Sequence, residues 1–164
     1  MTKRFQCQHD KNGCTRCCQG DGYVYPSLKD VKKIAERFGL SVREFIIRYC
    51  LLIDYKEWYI LAFKDVGGSD GGCCFLKEDG CSIYDARPVQ CETYPFWEQI
   101  VKDDASWEAE VKRCPGIGKG KEIPDSVVRR KLRDRKRTHC IGIKKDTENI
   151  DEIIKGLSIR KLDI

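Results

Sequence analysis

Residues 14–18 read Cys14-Thr15-Arg16-Cys17-Cys18, and Cys7 stands upstream to give the pattern C-x6-C-x2-C-C. The Cys14-x-x-Cys17 spacing lets two thiolates converge on one metal from a tight turn, with Gly13 relaxing the backbone before it. Adjacent side chains usually point apart, so Cys17 and Cys18 together suggest two neighbouring sites or a multinuclear cluster. A second group follows at Cys74, Cys81, Cys91 and Cys114, spaced C-x6-C-x9-C-x22-C. It has no second CxxC knuckle, unlike a plain zinc ribbon. Cys114 is followed by Pro115 and Gly116. A ligand cysteine followed by proline also occurs in bacterial ferredoxins.

The chain around these groups has 164 residues, with 41% apolar and 35% charged residues and eleven cysteines. Its mean hydropathy is −0.52. That composition excludes collagen-like, coiled-coil and low-complexity chains. The longest apolar runs, Cys50 to Ile53 and Trp58 to Phe63, fall far short of the roughly 20 residues that span a bilayer. No apolar stretch follows the basic N-terminal residues MTKRFQCQHD, so no secretory leader is expected and the chain is read as cytoplasmic. In a reducing compartment a cysteine-dense chain is expected to bind metal or act in redox chemistry rather than to be stapled by disulfides.

With Cys14 to Cys18, the segments GGCCFL (71–76), CSIYDARPVQCETYPF (81–96) and CPGIGKG (114–120) resemble the YkgJ-like cysteine-cluster family, a zinc- or iron-chelating CxxCxxCC domain. The resemblance covers about residues 5 to 120. It implies Cys7, Cys14, Cys17, Cys18, Cys74, Cys81, Cys91 and Cys114 as metal ligands. The cofactor expected is an iron–sulfur cluster or clusters, of 4Fe-4S type among others, with zinc in structural four-cysteine sites as the alternative. A related domain occurs in flagellin lysine-N-methylases.

The remaining cysteines read differently. Cys50 lies in the apolar run IIRYCLLI and is expected on a helix, packed in the core. Cys73 and Cys140 read as incidental neighbours, and His9 and His139 as solvated or core positions, with metal ligation open for all four. Arg87 is a candidate to lower a thiolate pKa or to hydrogen-bond a cluster sulfur. Tyr84, Tyr94, Phe96 and Trp97 are expected to wall the metal from water. No nucleophile–base arrangement or P-loop is readable. A metal-binding protein is therefore expected rather than an enzyme, with a cluster-dependent oxidoreductase or methyltransferase-like activity as a further alternative.

The fold expected is α+β, a small metal-clamped domain over 1–120 with a basic helical C-terminal appendage over 121–164. Ser27 caps a first helix ending at Gly39, and Ser41 with Glu44 forms a capping box for a second. Trp58 to Phe63 reads as a strand. Cys73 to Leu76 and Cys81 to Tyr84 read as a hairpin, and Trp97 to Val101 with Trp107 to Val111 as another. Residues 116–120 read as a turn. Residues 1–26 and 64–95 are expected to add little to the apolar core. Pro124-Asp125 opens a helix, and Asp146 or Thr147 caps a last one. The block Arg129 to Arg137 carries a net +6 against +5 for the whole chain, so the remainder sums to −1. It is a solvated face or a contact for RNA or an acidic protein. No membrane partner is expected.

Overall fold

The computed structural model describes residues 2–9, 13–19, 22–65 and 72–145. It is an α+β domain of short helices and small antiparallel sheets. Strand β1 (Arg4–Phe5) is followed by a 3-10 turn at Arg16–Cys18, then helices α1 (Leu28–Arg37) and α2 (Val42–Tyr49). Strands β2 (Cys50–Tyr55) and β3 (Trp58–Phe63) form a hairpin, and β4 (Leu76–Lys77) and β5 (Gly80–Cys81) a second, very short one. A 3-10 turn at Tyr84–Ala86 leads into α3 (Val89–Thr93), α4 (Glu98–Val101) and α5 (Asp104–Ala109). Strand β6 (Ile117–Glu122), α6 (Asp125–Arg137) and β7 (Gly142–Lys144) complete the described chain.

Ser27 caps the first helix and the capping box expected at Ser41 and Glu44 forms; Ser27 proves to have a box partner as well. Ser27 and Asp30 cap α1 reciprocally, as Ser41 and Glu44 cap α2, and Gly39 follows α1 with φ +64°. Asp30 does more than cap. Its buried carboxylate also accepts from the backbone N–H of Val89 at 3.3 Å, tying α1 to the helix that carries Cys91. Cys50 opens a strand rather than sitting on a helix. α2 ends at Tyr49, and the β-branched and aromatic residues that follow pair along β3. Strand β3 is central in the β2-β3-β7 sheet, which explains its unbroken apolar run. The hairpin expected from 73–76 and 81–84 forms in a shorter register, pairing only Leu76–Lys77 with Gly80–Cys81 around Glu78–Asp79, and Tyr84–Ala86 enters a 3-10 turn. The one expected at 97–111 does not form, because Asp103 caps α5 through the Ser106 N–H and both segments are helical. Residues 117–120 fall within β6, which pairs with β1 at Ile117 and Glu122; between those pairs Gly118 and Gly120 take positive φ and the Lys119 N–H donates to the Gly116 carbonyl at 3.3 Å, so the expected turn stands as an irregularity of the strand.

Two apolar cores result. The first joins Val31, Ile34, Phe45, Leu61 and Phe63 with Phe75, Ile83 and Ala86. Residues 64–95 thus contribute more core than their polarity suggested, since Phe75 stacks among Phe38, Phe45, Tyr49 and Phe63. The second joins Phe96, Ile100, Trp107, Cys114, Ile117 and Val128. The division placed at residue 120 falls within β6, while α6 packs on α3 and β7 joins the β2-β3 sheet. The helix expected after Asp146 lies outside the described residues. No described helix is long and apolar enough to cross a membrane.

Candidate metal centre

All eleven cysteines are free thiols, and no disulfide links them. The loops that carry them are held together by backbone contacts. Cys73 N–H donates to the Cys18 carbonyl at 3.1 Å, and Gln19 and Gly72 form an isolated bridge beside it. A Cβ at Gly72 would lie 2.8 Å from the Cys18 oxygen, so only glycine permits that approach. The N-terminal segment is anchored likewise. Gln6 N–H donates to the Gly116 carbonyl at 3.0 Å, and a Cβ at Gly116 would lie 2.5 Å from the Gln6 oxygen. These two close approaches bring the loops of Cys7, Cys17–Cys18, Cys73 and Cys114 to one region.

Within that region the Cys18 thiol lies within hydrogen-bonding reach of the sulfurs of both Cys17 and Cys81, its one proton serving either. Those bonds favour thiolate at the acceptors, lowering Cys17 to about 7 and Cys81 to about 6, and push Cys18 itself far up. The Ile83 N–H adds to the lowering at Cys81, as do Arg87 and His9. Cys91 sits in the field of Cys73, Cys17 and Cys81, and its desolvation pushes its thiol up. Cys114 is raised by desolvation, opposed by the N–H groups of Gly116 and Ile117, with Cys17 and Cys7 facing it. Tyr84 Oη lies 3.8 Å from the Cys7 sulfur and donates to it. The adjacent Cys17 and Cys18 therefore face one region instead of pointing apart.

Cys73 and Cys74 have different surroundings. The Cys74 thiol donates to Cys73 and lies 3.8 Å from the Tyr49 carbonyl, beside Cys50. Cys73 is lowered chiefly by that bond, with a smaller contribution from the Phe75 N–H, and faces Cys81. Nothing in the local sequence distinguishes two adjacent cysteines. Phe75, 1% exposed, anchors the segment in the first core, against which both cysteines pack. Cys14 heads the turn that carries Cys17, its N–H 3.5 Å from the Gln8 carbonyl, and no thiol contact joins it to the group. Cys50 and Cys140 are buried, Cys50 within the first core, and burial pushes Cys50 up to about 12.

Arg87 sits among these sulfurs. Its guanidinium carbon lies 3.6 Å from the Tyr84 ring centroid, and its charge acts on Cys7, Cys17, Cys81 and Cys91. The Nε–H is buried and has no hydrogen-bond acceptor among the described residues. His9 stacks on the same Tyr84 ring at 3.8 Å. Tyr94, in a T-shaped contact with Trp97, faces Cys114 and Cys17, while Phe96 packs with Cys114 in the second core. The aromatic wall expected from the sequence thus stands beside the thiols.

The model of the CxxCxxCC family, a domain to which zinc or iron chelation is ascribed, matches residues 6–115. The chain belongs to that family. No solved structure matches it. A CxxCxxCC domain needs a donor set suited to zinc or iron, and the side chains present fit one. The donors are thiols, two of them lowered toward neutral pH, with a buried cationic N–H and several backbone N–H groups aimed at sulfur. Among the described residues no three His, Cys, Asp or Glu side chains form a ready-made site for a single ion. The CxxCxxCC thiols surround a shared region rather than meet at one point.

Proposed function

We propose that the chain holds an iron–sulfur cluster or clusters through Cys7, Cys14, Cys17, Cys18, Cys81, Cys91 and Cys114, with Cys73 in place of Cys74. The observation that carries this reading is the reach of Cys18 to both Cys17 and Cys81, with Cys73 in the field of Cys81, Cys91 in that of Cys73, Cys17 and Cys81, and Cys114 in that of Cys17 and Cys7. Seven sulfurs linked pair by pair through these fields exceed what one closed four-coordinate zinc site uses. Vicinal thiolates facing one region suit a group with several metal atoms. Backbone N–H groups bonded to Cys73, Cys81 and Cys114 sulfur, with Arg87 beside them, supply the hydrogen bonds and positive charge that set cluster potentials. A bound cluster supplies one-electron chemistry and structural closure. The chain's own residues position it, neutralise its charge through Arg87 and keep water from it through Tyr84 and Tyr94. Its place of action is a reducing compartment, the cytoplasm, where free thiols persist.

Anaerobically purified protein is expected to be brown and to bleach under dithionite. A colourless protein that stays colourless after incubation with iron and sulfide would refute the cluster and leave zinc as the metal. Metal retention should also depend on pH, with a sign set by the thiols. Protons compete with metal for thiolate, and Cys81 and Cys17 take them up as pH falls through about 6 to 7. Above that window the two sulfurs are ready to bind, and below it metal is released. Metal content measured after gel filtration should be constant from pH 7 to 9 and fall between pH 7 and 5. Retention unchanged down to pH 4 would contradict the assignment of these two thiols.

A further inference from the structure

Helix α6 lies beyond residue 115, where the family match ends. The metal centre does not account for its charge. At about 100° per residue, Arg129, Arg130, Arg133, Lys136 and Arg137 fall within about 120° of one another around the helix axis. All five are exposed, and they span about 12 Å along the axis. The face turned away from them is anchored. Val128 and Leu132 pack in the second core, and Lys131 Nζ donates to the Glu92 carbonyl at 2.9 Å. The seven cations of the block are therefore sorted by the fold, with five presented outward on one stripe.

That stripe is weakly neutralised. Arg129 meets Asp125 and Lys136 meets Glu98, each at 3.9 Å between exposed side chains, pairs worth little in water. Arg130, Arg133 and Arg137 have no carboxylate partner among the described residues. Asp134 flanks the stripe on one side. No aromatic residue lies on the helix, so bases have nothing to stack on. Four of the five outward cations are arginines, whose planar guanidinium matches phosphate oxygens in pairs.

We propose that α6 is a binding face for the phosphate backbone of duplex nucleic acid, read without regard to base sequence. A rigid helix with a row of cations on one side complements a rail of regularly spaced phosphates. The face is mounted on the metal domain, because α6 packs on α3, the helix of Cys91, and shares a core with Cys114. It does not depend on which metal that domain holds.

The test is fluorescence anisotropy of the full-length, metal-loaded protein with labelled 20-base-pair DNA and RNA duplexes. Binding is expected at 50 mM salt, with a dissociation constant of about 1 μM or tighter. If all five cations contact phosphate, the logarithmic salt slope is about −4.5 and affinity falls about 500-fold between 50 and 200 mM salt. The variant R130Q/R133Q/R137Q leaves two contacts, so its slope drops to about −1.8 and its loss over the same range to about 12-fold. Its melting temperature and metal content should match the wild type, since all three side chains are exposed. Comparing the two duplexes shows whether DNA or RNA is the better source of phosphate, and binding of either supports the proposal. No binding at 50 mM salt, binding indifferent to the triple substitution, or binding only to anionic phospholipid vesicles would overturn it. A protein that takes up neither metal nor cluster and still shows the expected salt slopes would refute the metal reading and leave this one standing.

Discussion

Stripping the metal from the protein with a chelator under reducing conditions is expected to lower its melting temperature by about 10 °C or more. Metal-binding energy is folding energy where the site does not pre-exist, and a loss of ~5 kcal/mol in a chain of this size moves the midpoint by that much. The reason is local. Cys73 and Cys81 pack against the first core, and Cys114 belongs to the second. Cys17 stands in the field of both groups. The thiols therefore occupy the seam between two apolar units, and metal there fastens one to the other. Without it, protonated Cys18 and Cys91 remain as weak donors, and the short hairpin at 76–81 has only two paired residues on each side. Scanning calorimetry of loaded and stripped protein decides the point. Equal midpoints would show that the two cores hold the fold without metal.

The second large effect is a contrast among single cysteine substitutions. Cys81→Ser and Cys91→Ser should each lose metal and melt near the stripped protein, because each removes a sulfur that faces several others. Cys73→Ser should behave like them. Cys74→Ser should retain metal, since its sulfur is turned to the Tyr49 carbonyl and Cys50. Cys50→Ala should keep full metal content and lose about 0.5–3 kcal/mol, the ordinary range for a buried substitution. Metal analysis paired with melting curves separates lost ligands from damaged packing. Metal lost from Cys74→Ser but kept in Cys73→Ser would reverse the assignment of that pair. Metal lost from Cys50→Ala with the fold intact would place Cys50 at the centre.

The features legible in the sequence were those set by local chemistry. Ser27 as an N-cap and Ser41 with Glu44 as a capping box announced two helices, because a cap is complete within four residues. Trp58 to Phe63 announced a strand through its aromatic and apolar run, and the pairing on both sides placed it at the centre of its sheet. The cysteine cluster was legible through spacing and through the block 81–96. Distant partners decided the rest. Cys50 looked helical because α2 and β2 share one apolar run, and only pairing with Phe63 makes it a strand residue. Trp97 and Trp107 suggested strands by their β-propensity, which burial against Phe96, Ile117 and Val128 overrode. The different surroundings of Cys73 and Cys74 come from Cys81 on one side and Tyr49 and Cys50 on the other, which no local pattern encodes. The basic block was visible as charge. Its sorting into an exposed stripe came only with the face that Val128 and Leu132 bury.

The central claim, that these thiols hold an iron–sulfur group, is tested most directly by the metal and sulfide content of protein purified without oxygen. Iron and acid-labile sulfide are predicted in comparable amounts, with zinc well below one per chain. Zinc near one or two per chain, with no sulfide even after reconstitution with iron and sulfide, would contradict it.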